Sequence, residues 1–515
     1  MYGTMHISGK VAFQLGDPFY DAMQSVDVVA LELEPEAWFE ALFSDPQVAS
    51  WLGSSSAEEE YFEEFVDDSP LPPLRGFWSG SNVQSANERV RQALLYDPAV
   101  LNYLMFRYGE GSGAVDFEED TWLDMHIYQA AKKMGLQTLG LETYAQSDDF
   151  IRKASIEGAR QEDRREWDEG DILEFEQLTS QLEPAYRRQD LDLIDSLTRS
   201  TASKAFRTYI LLERNKLFVH NIDSLLRAGK SVFAAMGCAH LPGNGGVIET
   251  LRSLGYEVTP VNKGTRNAKR RQELDRRIYQ RAFTPFTTSD GRITTNVPAH
   301  LYHAASSRES STWLCLDIAN GANFTITRMK SYSALTGTAA NELLAMLDSM
   351  MYETVAGEVV SKSIITKGKY EGIEVINRTR RGDYQRQQVI VLPDEILILK
   401  LEATGEKVMQ GYGASFFEGI KIHDSAEQSN RWASADGSLQ VNLPSQGICY
   451  ASSNALTRTA DLEVIATRKT NGAFYMLQRH VIECPGFLDE DNYELRRFLK
   501  AFCSDNNFSC VSFTI

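Results

Sequence analysis

Met236-Gly237-Cys238-Ala239-His240-Leu241-Pro242-Gly243 decides how the first half of this chain reads, because Gly3-Thr4-Met5-His6 repeats its G-x-x-H spacing. Around the later copy, Ser231 to Met236 is a short apolar run and Gly245 to Leu254 has helical spacing that stops at Gly255. Tyr256 to Val261 then alternates apolar positions. The expected unit is β-α-β. His240 falls just past the carboxyl end of a strand, where open α/β sheets place their ligands. The earlier copy follows the same logic: Gly3 to His6, a loop, a short helix near Phe19 to Gln24, and a strand from Val26 to Leu33 carrying Glu32. Two copies of one unusual motif point to one site.

Neutral imidazole together with carboxylate suits Mn²⁺, Co²⁺, Zn²⁺ or Fe²⁺, and a catalytic ion needs only three protein ligands. His6, Glu32 and His240 supply that set. Such an ion lowers the pKa of its water toward neutrality and polarises a carbonyl. A glycine three residues before each histidine permits close backbone approach. Glu142 closes another expected strand, Leu136 to Leu141, and stands as a further ligand or as the general base. Asp124 and His126 precede it on a helix whose Leu123, Ile127, Ala131 and Met134 face the core. His126 reads as a core histidine, and Asp124 as a group that orients a ligand. Arg214 and Asn215 have the chemistry to bind a carboxylate or an oxyanion, although an arginine on a charged helix is commonly just solvated.

Taken in order, several of these elements resemble the TraB/GumN family: Gly3 to His6, the Asp27-to-Glu32 strand, Asp124 leading into Gly140-Leu141-Glu142-Thr143 with Gln146, Arg214-Asn215, and Gly237 to Gly243. The resemblance covers roughly residues 1–262. That family is similar to the Tiki metalloproteases, with paired G-x-x-H motifs and an essential glutamate. It implies a metal-dependent hydrolase acting on a peptide or protein, and it raises Arg214 and Asn215 to site residues. It leaves two other readings open. One is a histidine acting as general base without metal, and the other is a non-catalytic peptide-binding or sequestering protein of the pheromone-shutdown kind. Members of the family carry a strand or hairpin before the first motif, often with a signal peptide or membrane anchor, so the natural gene product is expected to begin upstream of Met1. An upstream leader would place the protein outside the cytoplasm, periplasmic or secreted; otherwise the cytoplasm is expected.

At 515 residues, with 43% hydrophobic and 24% charged residues, the composition is that of folded domains with sizeable cores. The formal net charge is −19, and residues 1–100 hold 17 Asp or Glu against 4 Lys or Arg. An acidic face repels phosphate backbones, so nucleic acid is not an expected partner. The runs Glu58-Glu59-Glu60 and Glu63-Glu64 read as a solvated face. Six cysteines without a C-x-x-C make no disulfide scaffold, although Cys503 and Cys510 have the spacing to pair. No apolar run reaches the length of a membrane span, and no basic segment followed by an apolar run opens the chain.

Beyond residue 262 the character changes. Lys269-Arg270-Arg271 and Arg276-Arg277, with Leu274 and Ile278 between them, predict a basic linker helix over 263–282. Phe286 to Pro298 then matches Trp432 to Pro444 at a constant offset of 146, an aromatic and an Asp-Gly turn leading into a short alternating strand closed by proline. A helix near Ala339 to Tyr352 is expected, with β-rich segments at Ser361 to Thr366, Tyr370 to Arg378, Gln387 to Leu392 and Ile396 to Leu401. His300 and His303 are three apart but sit in an expected loop without a carboxylate nearby. The expected fold is thus an α/β domain over 1–262, a mixed sheet with helices and a helical insertion, followed by two repeated α+β modules over 283–425 and 426–515. The second half reads as a binding or scaffolding region.

Overall fold

A computed structural model describes residues 1–5, 13, 15–44, 90–91, 93–94, 122–162, 178, 180–261, 264–265, 268–306, 310–331, 333, 338–354, 357–379, 382–424, 429–434, 437–445, 447–453, 460–479, 496 and 500. The described residues fall into two compact units, one reaching to residue 426 and the other beginning at 427. His6, the acidic runs at 58–64, Cys503 and Cys510 lie outside the described residues.

The first unit opens with strands β1 (Tyr2–Thr4), β2 (Val28–Leu31), β3 (Gln137–Gly140) and β4 (Val232–Gly237), which form a parallel sheet in the order β1-β4-β2-β3. Val28-Val29-Ala30-Leu31 is buried at every position, as a strand covered on both faces must be. The two-residue period sends alternate side chains to opposite helices. Val29, Leu31, Phe233 and Ala235 pack on Leu123, Ile127, Tyr128 and Ala131 of the helix Leu123–Lys133. Ala30, Ala234 and Met236 pack on Phe218, Val219 and Ile222 of the helix Arg214–Arg227. Each fully buried large apolar side chain of this kind contributes about 1.5–3 kcal/mol. Asp27 sets the register of β2 against β4, accepting from the backbone N–H and the hydroxyl of Ser231 at 2.8 and 2.7 Å.

The helices on this sheet start and stop where local chemistry requires. Thr143 and Gln146 form a reciprocal capping pair, Thr143 N–H to Gln146 Oε1 at 2.9 Å and Gln146 N–H to Thr143 Oγ1 at 3.3 Å, and so begin the helix Tyr144–Glu162 directly after β3. Arg207–Glu213 is wound as a π-helix directly before the α-helix Arg214–Arg227. After β4 a helix runs over Val247–Ser253 and ends before Gly255 at φ 93°. The strand expected at Tyr256 to Val261 is not formed. Tyr256 and Val258 instead pack against the Phe218 cluster, and the Tyr256 hydroxyl donates to Asp223 at 2.7 Å. Alternation there reflects burial without a ladder.

The basic segment forms the helix Ala268–Arg276, and its charges are used within the fold. Arg270 donates to Asp21 at 2.7 Å and to Gln24 at 2.6 Å, while Leu274 enters the core shared with the sheet. Hairpin β5 (Thr284–Thr287) and β6 (Ile293–Val297) follows, then strands β7 (Leu301–Ser306), β8 (Ser310–Asp317), β9 (Ala322–Lys330), β10 (Glu358–Lys367), β11 (Tyr370–Arg378), β12 (Tyr384–Val391) and β13 (Glu395–Ala403). The last seven make one antiparallel sheet in the order β10-β11-β12-β13-β9-β8-β7. The helix Ala340–Thr354 covers one face through Leu343, Leu347, Met350 and Met351, and Phe416 and Phe417 cover the other. Leu314, Leu316 and Ile318 leave this sheet to join the core of the α/β region. Gln129 seals that joint by donating to the Ile318 carbonyl at 3.0 Å. No helix among the described residues is long and apolar enough to cross a membrane.

In the second unit β14 (Asn430–Ala433) and β15 (Gln440–Leu443) form a hairpin, followed by the meander β16 (Ile448–Ser453), β17 (Ala460–Thr467) and β18 (Phe474–Arg479). Thr284 pairs with Val297 in the first hairpin and Asn430 with Leu443 in the second, so the registers coincide at the sequence offset of 146. Their turns match as well. Thr288 N–H donates to the Ile293 carbonyl and Ser434 N–H to the Leu439 carbonyl, with Gly291 and Gly437 both at φ 69°.

One buried cation at the joint makes a testable demand on stability. Burial, reinforced by the charge of Lys133, holds the Lys407 ammonium down to about 7, with its Nζ donating to Thr404 Oγ1 at 2.7 Å. The unfolded chain binds this proton up to the ordinary lysine pKa, whereas the folded chain releases it once the pH passes about 7. Unfolding free energy should therefore rise from pH 7 toward pH 10 by up to about 1.4 kcal/mol per pH unit from this group. Urea unfolding of Lys407→Met across that range should show a flatter profile than the wild type and higher stability at pH 7.

Candidate functional site

The parallel sheet places the described strand-end residues Glu32, Glu142 and His240 on one edge. Glu32 follows β2 directly, Glu142 stands two residues past β3, and the turn Cys238–His240 follows β4. Thr4, the last residue of β1, pairs with Gly237. Gly3 explains the first glycine of the earlier motif. A Cβ there would stand 3.1 Å from Cys238 Cβ and 3.3 Å from Cys238 Cα, so the bare backbone lets the second motif pack on the first.

Arg214 joins the two carboxylates. Its Nε donates to Glu142 Oε1 and Oε2 at 3.1 and 3.0 Å, and its Nη2 donates to Glu32 Oε2 at 2.7 Å and also to Glu142. The other Glu32 oxygen accepts the Gly237 N–H at 2.6 Å. Burial pushes the Glu142 carboxyl upward, the bonds and charge of Arg214 oppose that shift, and the Glu32 charge adds to it. For Arg214 burial works against the cation, but the hydrogen bond to Glu142 and the charges of Glu32 and Glu142 prevail, so the guanidinium stays protonated. Phe218, one turn further along the helix, lies under the guanidinium at 5.2 Å from its ring centroid.

His240 is buried and oriented through a chain of amides. Asn215 Nδ2 donates to the Gly245 carbonyl at 2.9 Å, which turns Asn215 Oδ1 toward His240 Nδ1 at 2.7 Å. An oxygen acceptor at that position places the ring proton on Nδ1, so Nε2 of the neutral ring carries the lone pair. Nε2 lies 3.7 Å from Glu32 Oε1. Two acceptor atoms that close repel unless a cation, a proton or a bridging donor lies between them.

The expected site residues Glu32, Glu142, Arg214, Asn215 and His240 are thus brought together. Asp124 lies on the helix Leu123–Lys133 and acts electrostatically on Tyr2, Tyr186 and Cys238, which puts it beside the paired motifs. His6 lies outside the described residues. Among the described residues no group of three or more His, Cys, Asp or Glu is placed to hold a metal ion. The donor chemistry of Glu32 and His240 suits one, as a pair that needs a further ligand. Burial pushes the Cys238 thiol up to about 11, which leaves it protonated and a poor nucleophile at neutral pH.

Some contributors were not foreseen. Tyr186 donates to the Gly3 carbonyl at 3.0 Å and Asn221 to the Leu141 carbonyl at 2.7 Å, fixing the backbone at two strand ends. Asn221 was legible in principle, since Arg214, Phe218 and Asn221 share one helix face. Tyr186 comes from a helix with no motif to mark it. His126 is buried edge-on to Phe13, and His303 lies on strand β7 against Trp313 rather than in a loop.

The model of the TraB/PrgY/gumN family matches residues 1–260. No curated protein matches the chain. Among solved structures it is similar to cyanobacterial PsbP (CyanoP) from Synechocystis sp. PCC 6803, with 5% identity over 28% of this chain and 94% of that chain and a TM-score of 0.20. It is also similar to LpqN of Mycobacterium tuberculosis, involved in cell envelope biogenesis, with 16% identity over 28% of this chain and 91% of that chain and a TM-score of 0.18.

The shared guanidinium yields a direct test. Arg214→Met would leave Glu142 buried without its cation, at a cost of about 3–5 kcal/mol. Combining it with Glu142→Leu removes the stranded charge, so the double variant should recover most of that loss in urea unfolding.

Proposed function

We propose, because the chain belongs to the TraB/PrgY/gumN family, that this sheet edge is the active site of a metal-dependent hydrolase acting on peptides. The observation that carries the reading is the facing pair His240 Nε2 and Glu32 Oε1, 3.7 Å apart. A divalent ion of the Mn²⁺, Co²⁺, Zn²⁺ or Fe²⁺ kind would be held by Glu32 and His240, with His6 as the third ligand. When bound it would supply an acidified water and polarise the scissile carbonyl.

The chain's own residues prepare that site. Asn215 keeps the His240 tautomer that leaves Nε2 as the donor atom, the usual task of a partner behind a metal-binding histidine. Gly237 N–H and Arg214 fix the Glu32 carboxylate from two sides. Arg214 engages both carboxylates through Nε and Nη2, so we assign it to orienting Glu32 and compensating charge, and Glu142 to holding Arg214. Proton transfer then falls to Glu32. Asp124 adds negative potential beneath the motif and favours a bound cation. The coincident hairpin registers support reading residues 283–425 and 426–515 as two copies of one α+β module, and we assign them to binding or scaffolding.

Calorimetry with each of the four metals on the full chain should give one ion per chain. Affinity should be lost in His240→Ala and fall about 10- to 100-fold in Asn215→Ala. Unchanged affinity in His240→Ala would refute the site. Peptide-library cleavage read by mass spectrometry should depend on His240; peptide binding by a wild type that cleaves nothing with any of the metals would favour a sequestering protein instead.

A further inference from the structure

Strand β10 ends the seven-stranded sheet, and among the described residues no strand pairs with its outer edge. It is ten residues long and exposed along nearly its whole length, with Ile364 80% and Val360 44% accessible. Tyr352, on the helix that covers this end of the sheet, is 77% accessible. Long edges with apolar side chains recruit other strands, and a lysine turned outward commonly guards against it. Here Lys362 is instead paired with Asp348 of the covering helix.

A bulge decides what can pair with this edge. Val359 stands opposite Asn377 and Ser361 opposite Ile376, so Val360 is an extra residue and the alternation of faces shifts there. Glu358 consequently shares a face with Ser361, Ser363, Ile365 and Lys367. Lys362, Ile364 and Thr366 share the opposite face with Val359. Read against its own reverse about Ser363, the strand sets Glu358 opposite Lys367 at both ends. Val359 then meets Thr366, Ser361 meets Ile365, Lys362 meets Ile364, and Ser363 meets itself. A two-fold axis perpendicular to the sheet preserves faces, and every pair in this register lies on one face only because of the bulge. Opposite charges meet twice and like charges never stand directly opposite.

We infer that β10 pairs antiparallel with β10 of a second copy of this chain, joining two seven-stranded sheets about Ser363. The full chain should sediment as a dimer. Ser363→Cys should cross-link under mild oxidation, because residues directly opposite in an antiparallel pair have Cα atoms about 4.5–5.5 Å apart, within disulfide range. Thr366→Cys and the wild type, treated alongside, should not. Glu358→Lys places like charges at both ends and should weaken the dimer about tenfold, and adding Lys367→Glu should restore it. A chain that stays monomeric to hundreds of micromolar, or a dimer in which Ser363→Cys fails to cross-link, would overturn the inference. So would a dimer indifferent to Glu358→Lys.

Discussion

One guanidinium between two carboxylates holds this site together. Parallel pairing of β2 with β3 forces Glu32 and Glu142 side by side, since the Glu142 N–H donates to the Glu32 carbonyl at 3.0 Å. Two like charges at that separation in a low-dielectric edge repel strongly. Arg214 reverses the sign of that interaction and ties the helix Arg214–Arg227 to two strand ends. The neighbouring Asn215 orients His240, so the same turn of helix governs both the carboxylates and the imidazole. The π-helical segment Arg207–Glu213 directly before Arg214 sets the phase at which that turn meets the sheet.

The β-rich region is built onto this arrangement. Leu314, Leu316 and Ile318 share a core with Phe233 and Tyr128, and the helix Ala268–Arg276 returns basic side chains to the acidic surface near Asp21. Charges packed on the antiparallel sheet form a shared network. Arg292 donates to both oxygens of Asp394, and Arg328 lies between Asp290 and Glu395. Such pairs favour one register over its neighbours, because a slip of one residue would strand a charge in the interior. The negative charge concentrated in the first hundred residues is in part an internal docking surface.

Period and spacing made much of this readable. The apolar run Val28 to Leu31, the helical face Leu123, Ile127, Ala131, and the Asp-Gly turn repeated at an offset of 146 each express a local rule that needs no distant partner. Tyr256 to Val261 misleads by the same rule. Alternation reports which side chains are buried, and a loop packed on a helix buries every second residue as a strand does. The π-helical segment was hidden because a seven-residue change of helical pitch leaves the apolar content of the run nearly unchanged.

The sequence by itself determined that Gly3-Thr4, the second G-x-x-H motif and two glutamates belong to strand ends of an α/β region, and that the chain beyond it is β-rich, because strand termini and turns are local events. The tertiary structure alone decided what those groups do to one another. Arg214 is tied to Glu32 and Glu142 through Nε and Nη2, and the His240 proton is assigned by an amide that is itself turned by the Gly245 carbonyl. Such choices depend on distances of a few ångströms between residues up to 205 positions apart, and only the order and facing of the packed elements set those distances.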